Sequence, residues 1–371
     1  MSRLWICLLI LLPALGQVRP PYFDGRKQAP SYHGPGREDA EPSGVREVGI
    51  GYFGPADPQH PEAGAIWAGA ALAIEEANRE GGYRGLPFRL VPGWAENPWA
   101  AGASAVVRLA YRDRVWAIIG SIDGAATHLA EQVVVKARLT LINPAATDRS
   151  VHGINVPWMF SCAPGDHLQA PVLVEALGGR PFVLLSATDH DSRAFVAKLK
   201  AAPSSHVEFQ PGTHDVSALV RRVTEAQPGA VVVIAGARVS AQVVRALRRA
   251  NFSDRILGGP AMGRRVFVEE AGAAAEGVLF PLLMEAPAGE GRLDYAAAHA
   301  YDAARLLVAA IRKAGLNRAR IRDAVRELSP FHGLSGAIEW DTLGQNQRPV
   351  RLGTIRRGRV EPAGLRHAEA R

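Results

Sequence analysis

From Val45 onward, short apolar runs alternate with longer stretches whose apolar residues recur at helical spacing. That alternation is the pattern of βαβ units building parallel sheets. Val48 to Tyr52 reads as the first strand, and Ala63 to Glu80 as a helix with Ile66, Ala70, Ala73, Ile74 and Ala77 on one face before Gly81 and Gly82 stop it. Phe88 to Val91 is the next strand. A helix around Ala100 to Tyr111, a strand over Val115 to Ile119, a helix from about Gly124 to Lys136 and a strand over Leu139 to Ile142 complete the series, with Asp123 as an N-cap.

A second series begins after a break around Phe160 to Asp166. Its strands are expected near Phe182 to Leu185, His206 to Phe209, Val231 to Ala235 and Ile256 to Leu257, with helices between them. The apolar strand Gly277 to Leu283 precedes a long helical region, Asp294 to Ala314, and a second helix, Arg318 to Leu328. Two β-like segments close the pattern, Ala337 to Trp340 and Val350 to Ile355. Two βαβ series with helices returning afterwards predict two lobes joined by more than one chain crossing, and ligands of such sheets sit beyond the carboxyl ends of the strands.

The N-terminus adds a destination. Arg3 precedes an apolar run, Leu4 to Leu15, that is too short for a membrane span of ~20 residues. With Pro13, Ala14 and Gly16 it matches a secretory signal cleaved near Gly16 and Gln17. Gln17 to Gly44 mixes Pro, Gly and charge and reads as an unfolded linker. Cys7 leaves with the signal, so Cys162 is the single cysteine of the mature chain and no internal disulfide forms. The formal net charge of +7, reduced by one when Arg3 is removed, is modest. Arginine clusters at 245, 248 and 249 and at 356, 357 and 359 lack interleaved aromatics, which argues for solvated faces rather than a nucleic-acid surface.

Several chemistries are excluded by context. Gly49-Ile50-Gly51-Tyr52-Phe53-Gly54 satisfies the dinucleotide fingerprint, but Pro55, Pro58 and Pro61 keep a helix from opening at its last glycine, so the amides that would meet a pyrophosphate are missing. No G-x-S-x-G elbow, H-E-x-x-H pair or phosphate-loop lysine is present. His190 stands between Asp189 and Asp191, yet neighbours at one strand end do not all face one ion, so no metal is assigned. No cofactor is implied.

Val48-Gly49-Ile50 with Gly54-Pro55, Gly69-Ala70 through Asn78 to Gly81-Gly82, Ile118-Ile119-Gly120, Asn143-Pro144-Ala145-Ala146-Thr147, Ala275-Glu276-Gly277-Val278, Tyr301 to Gly315, and Gly333 with Gly336 through Asp341 and Gly344 follow one another along the chain. In their order and spacing the chain, from Val45 to Arg359, resembles the type I periplasmic binding protein family, in its leucine/isoleucine/valine-binding branch. The resemblance implies an α/β fold of two Rossmann-like lobes with parallel central sheets, joined by a three-stranded hinge that closes on a ligand. By that reading residues 1–16 are the signal and 17–44 the linker. The first lobe is 45–162 plus 285–332, the second 163–284 plus 333–360, and 361–371 is a tail. The crossings are expected near 162–166, 281–285 and 333–336.

The resemblance also carries over a site. Gly124 and Ala125 in the first lobe, with Ala145 and Thr147 in the next loop, fall where the family holds a ligand carboxylate, and amides ahead of a helix suit an anion. Thr147 is equally placed to cap a turn. In the second lobe the family's acidic partner for an ammonium group falls on Ala261, and its cleft tyrosines fall near Asp191 and near Ala237 or Arg238. Asp191 and Arg238 are therefore either ligand contacts or rim charges. Glu62 falls near the side-chain-contacting aromatic. Trp67 lies on the apolar helix face, and Trp94 and Trp99 are candidates for the cleft wall. The expected function is an exported solute-binding protein that delivers a small, carboxylate-bearing or amino-acid-like molecule to an ABC transporter permease. A periplasmic ligand sensor is the alternative reading, and an enzyme a distant third.

Overall fold

The computed structural model describes residues 31–153, 156–285 and 294–364. The proposed signal peptide, the linker up to residue 30 and the last tail residues lie outside them. The first lobe runs through β1 (Val48–Phe53), α1 (Gly64–Arg79), β2 (Phe88–Gly93), α2 (Pro98–Val107), β3 (Ala117–Gly120), α3 (Gly124–Ala137), β4 (Thr140–Asn143) and β5 (Met159–Pro164). The second continues with α4 (Asp166–Leu177), β6 (Phe182–Ala187), α5 (His190–Val196), β7 (Ser205–Phe209), α6 (Ser217–Ala226), β8 (Ala230–Ile234), α7 (Ala237–Arg249), β9 (Arg255–Gly258), α8 (Arg265–Ala271) and β10 (Leu279–Leu282). The chain then returns with α9 (Tyr295–Ala314), α10 (Arg318–Glu327), β11 (Phe331–Gly333), β12 (Gly336–Ile338) and β13 (Gln345–Asn346), and ends in β14 (Arg351–Arg356) and β15 (Arg359–Pro362).

The two sheets share one topology. The first has the order β13-β5-β4-β3-β1-β2, all parallel, and the second β15-β14-β10-β9-β8-β6-β7, with β14 and β15 antiparallel at one edge. Both follow the doubly wound 2-1-3-4-5 order, so each has a switch point, between β1 and β3 and between β6 and β8. Strands covered by helices on both faces are buried at every position: β3 and β8 carry no polar side chain, and β4 is apolar between Thr140 and Asn143. α1 and α9 pack over one face of the first sheet, and α2 and α3 over the other. Gly69 permits the α1–α9 approach, since a Cβ there would lie 2.2 Å from the Ala297 carbonyl oxygen.

Three expected boundaries are corrected. The stretch from Phe160 to Asp166, read as a break, falls mostly within Met159–Pro164, a fully buried strand of the first sheet whose residues carry no apolar/polar alternation to announce it. The third crossing lies at about residues 347–350 rather than 333–336. Ile338 and Trp340 are buried in the first core, the Trp340 indole stacks on Phe160 and donates to the Ser161 carbonyl, and β13 pairs in parallel with β5. The Arg348 guanidinium then ties the crossings together by donating to the carbonyls of Leu283 and Ser335. The tail begins later than expected, because β15 extends to Pro362.

Residues 31–44, expected to form part of an unfolded linker, are docked on the first lobe. Tyr32 is buried with its ring 4.9 Å from Trp158, Glu41 accepts from the Tyr83 hydroxyl, and the Asn317 amide donates to the carbonyls of Gly36, Arg37 and Asp39. The segment is polar in composition, so its anchoring by one aromatic and a row of backbone carbonyls left no periodic trace.

Candidate functional site

A cavity of about 650 Å³ lies between the lobes, beyond the carboxyl ends of both sheets. Glu62 follows β1, Asp123 and Ala125 follow β3, and Ala145, Ala146 and Thr147 follow β4. From the other lobe, Asp189 to Ser192 follow β6, Ala235, Gly236 and Arg238 follow β8, and Gly259 to Ala261 follow β9. The wall is thus made where the strand order reverses in each sheet, which is where open α/β sheets bind ligands. Gly54 opens no helix; nine residues separate it from α1, so the dinucleotide reading is excluded by geometry.

Local chemistry sets the first-lobe wall. Asp123 caps α3 by accepting from the Ala126 amide, as its position before the helix predicted. Ala125 lines the cavity, and its N–H, in the first helical turn, has no intrahelical carbonyl to meet. Ala145 lines the cavity, but its amide is spent on Asn143 Oδ1 at 3.0 Å. Thr147 lines it too, and its carbonyl accepts from the Asp166 amide at 2.9 Å, so its turn role and its cavity position coexist.

Gly124 departs from the expectation. Its N–H donates to both carboxylate oxygens of Asp191, and a Cβ added to it would stand 2.4 Å from Asp191 Oδ1. The amide expected to hold a ligand carboxylate is therefore held by a carboxylate of the opposite lobe. Burial, then the nearby Asp123 charge, push the Asp191 carboxyl up to about 8, while the Gly124 bond pulls the other way. Ala237 also stands back from the cavity, buried at the start of α7. Arg238 is exposed on the rim and ion-paired to Glu270 at 2.9 Å, and Ala261 contributes only a methyl to the wall. Neither Trp94 nor Trp99 reaches the cavity: Trp94 packs on Phe53, and Trp99 is 72% exposed. Trp67 stacks edge-on against Tyr52 at the margin of the core.

Sequence reasoning missed two groups. Arg264 is buried at the cavity wall, with Nε 2.8 Å from Asp294 Oδ2 and Nη2 donating to the Glu62 carbonyl across the cleft. Burial pulls its pKa down, but the Asp294 carboxylate more than reverses this, and the guanidinium stays charged. The two residues stand thirty positions apart, too far for any local pattern to join them. The second group is His128, Asp148 and His190. His190 Nε2 lies 2.8 Å and His128 Nε2 3.6 Å from Asp148 Oδ2, while His128 Nδ1 lies 3.1 Å from Glu131 Oε2. Hydrogen bonds with Asp148 and Glu131 push His128 up to about 9. Burial alone would raise the Asp148 carboxyl, yet bonds from His128, Ser150 and His190 hold it well below the usual carboxylate range. His190 thus meets partners remote in sequence, not its neighbours Asp189 and Asp191.

Comparison with known proteins follows the same lines as the geometry. A family model described as periplasmic binding protein matches residues 50–359. An amino acid binding protein of Pseudomonas aeruginosa is 24% identical over 330 residues, covering 81% of this chain and 87% of the relative. Among solved structures, the branched-chain amino acid transporter substrate-binding protein LivJ of Streptococcus pneumoniae, in complex with isoleucine, superposes with a TM-score of 0.77 at 22% identity over 85% of this chain and 98% of its own. A solute-binding protein of an ABC transporter from R. palustris, in complex with benzoate, gives a TM-score of 0.76 at 14% identity over 86% and 96%.

Proposed function

The chain belongs to the periplasmic binding protein family, and from that premise we propose that it is an exported, non-catalytic solute-binding protein that captures a small amino-acid-like or other carboxylate-bearing molecule between its lobes and delivers it to an ABC transporter permease. The observation that carries this reading is the cavity itself, walled by loops from the switch points of both sheets, with a volume suited to a small solute. The matched relatives bind amino acids, and one solved neighbour holds an aromatic carboxylate, benzoate. Among the described residues no helix is long and apolar enough to cross a membrane.

The wall favours a ligand whose carboxylate meets the Ala125 N–H and the Thr147 hydroxyl at the start of α3, where the helix dipole adds to the attraction. Its remaining part would extend toward Glu62, Asp191, Arg238 and Ala261. Small, uncharged wall residues such as Ala261 and Gly236 leave room there rather than gripping an ammonium group, so the solute need not be an α-amino acid.

Thermal-shift screening of the mature chain against amino acids, aromatic and aliphatic carboxylates, and matched neutral amides tests this. A specific solute at a hundredfold excess over Kd stabilises by about 2.7 kcal/mol. Carboxylates that shift the melting temperature while their amides do not are the expected result. A shift from neutral solutes alone would overturn the carboxylate assignment.

A further inference from the structure

We propose that His128, Asp148 and His190 form a divalent-metal site of the zinc class that joins the two lobes at the edge of the cleft. One donor atom from each of the three lies within 4.8 Å of the other two. Two imidazoles and a carboxylate are the donor set that zinc and its transition-metal neighbours prefer, whereas magnesium and calcium take oxygen.

The surroundings orient these donors. Glu131, 2% exposed on the next turn of α3, takes His128 Nδ1 at 3.1 Å and leaves Nε2 on the side of Asp148, 2.8 Å from the Ser150 hydroxyl and 3.6 Å from Asp148 Oδ2. A carboxylate behind a ligating histidine fixes the ring and its tautomer in metal sites. Asp148 is 4% exposed; its Oδ1 accepts the Ser150 amide at 2.8 Å, and its Oδ2, which accepts the Ser150 hydroxyl, stands toward both imidazoles, so an ion would take the place of that hydroxyl. The Glu131 carboxylate itself is buried with Oε1 unpartnered, a cost with no other evident return in the packing of α3.

Placement gives the site a consequence. His128 and Asp148 belong to the first lobe and His190 to the second, where it also lines the solute cavity. An ion that needs all three binds the approached lobes better than the separated ones and shifts the population toward closure. Three protein ligands leave a tetrahedral ion one position for water or for a donor atom of the solute.

Calorimetric titration of the mature, tag-free, chelator-treated chain with zinc chloride tests the site, with melting temperature recorded in parallel. The expected result is one zinc ion per chain, a rise in melting temperature, and at least tenfold weaker binding in both His190→Ala and His128→Gln. His206→Ala, on β7 away from the cluster, should bind as the parent does. Absence of zinc binding, or affinity unchanged in His190→Ala, would overturn the proposal. No solute enters the experiment, so its failure leaves the solute-binding reading standing, and the reverse also holds.

Discussion

The Gly124 amide of the first lobe donates to both carboxylate oxygens of Asp191 in the second, at 2.9 and 3.0 Å. This bond spans the cleft and uses an amide that also suits a ligand, so Asp191 acts first on closure. A hydrogen bond of this kind is worth about 1–3 kcal/mol when its loss leaves a buried partner unsatisfied. Asp191→Ala should therefore weaken solute binding about tenfold, while Asp191→Asn, which keeps a carbonyl acceptor, should stay within about threefold. Isothermal titration with the solute found by screening distinguishes the two; equal losses would mean that the charge, not the bond, matters.

Thr147 lines the cavity and secures a turn with its carbonyl. Because the turn bond is made by the backbone, Thr147→Ala should leave the melting temperature nearly unchanged. A hydroxyl donating to a carboxylate contributes about 1.5–3 kcal/mol, so affinity for a carboxylate solute should fall by roughly ten- to a hundredfold. Unaltered affinity would remove Thr147 from the site.

Arg264 and Asp294 form a buried pair, and Asp294 also caps α9 through the Ala297 amide. Removing one member of such a pair costs about 3–5 kcal/mol because the other charge is left uncompensated. Arg264→Ala should show that loss in urea unfolding. The double variant Arg264→Met with Asp294→Asn should be markedly less damaged, since it buries no charge and asparagine still caps the helix.

His152 is buried between the Leu343 carbonyl at 3.1 Å and the Ser161 hydroxyl at 2.7 Å, and burial pulls its pKa down to about 4. Its folded value lies below the unfolded value near 6.5, so the native state holds it neutral. The associated stability is present above pH ~6.5 and is lost as pH falls toward 4, on the order of 3 kcal/mol over that window. Denaturant unfolding between pH 7 and 4 should show this contribution beside those of His299 and His167, whose burial also pulls them down, and His152→Gln should make the slope shallower.

Much of the fold was legible because its elements obey local rules. The α1 face from Ile66 to Ala77, the Asp123 cap and the stop at Gly81-Gly82 are all written in consecutive residues. β13 was not legible: it is two polar residues, Gln345 and Asn346, buried because Asn346 donates to the Cys162 carbonyl. The site divided the same way. Ala125, Thr147 and Glu62 follow strand ends and came with the family resemblance, whereas the bond from Gly124 to Asp191 and the meeting of His128, Asp148 and His190 depend on how one lobe lies against the other. No spacing along the chain encodes that.

The interleaving of the lobes also fixes an order of construction. As the chain emerges from its N-terminus, the second sheet has all its parallel strands once β10 is complete, while the first still lacks α9 over its β1, β3 and β4 face and β13 along the edge of β5. The lobe begun second can assemble its parallel strands first, and the lobe begun first stays open with an exposed apolar face until α9 and β13 arrive. Cutting the chain before β13 therefore damages the N-terminal lobe as well as removing β14 and β15 from the second.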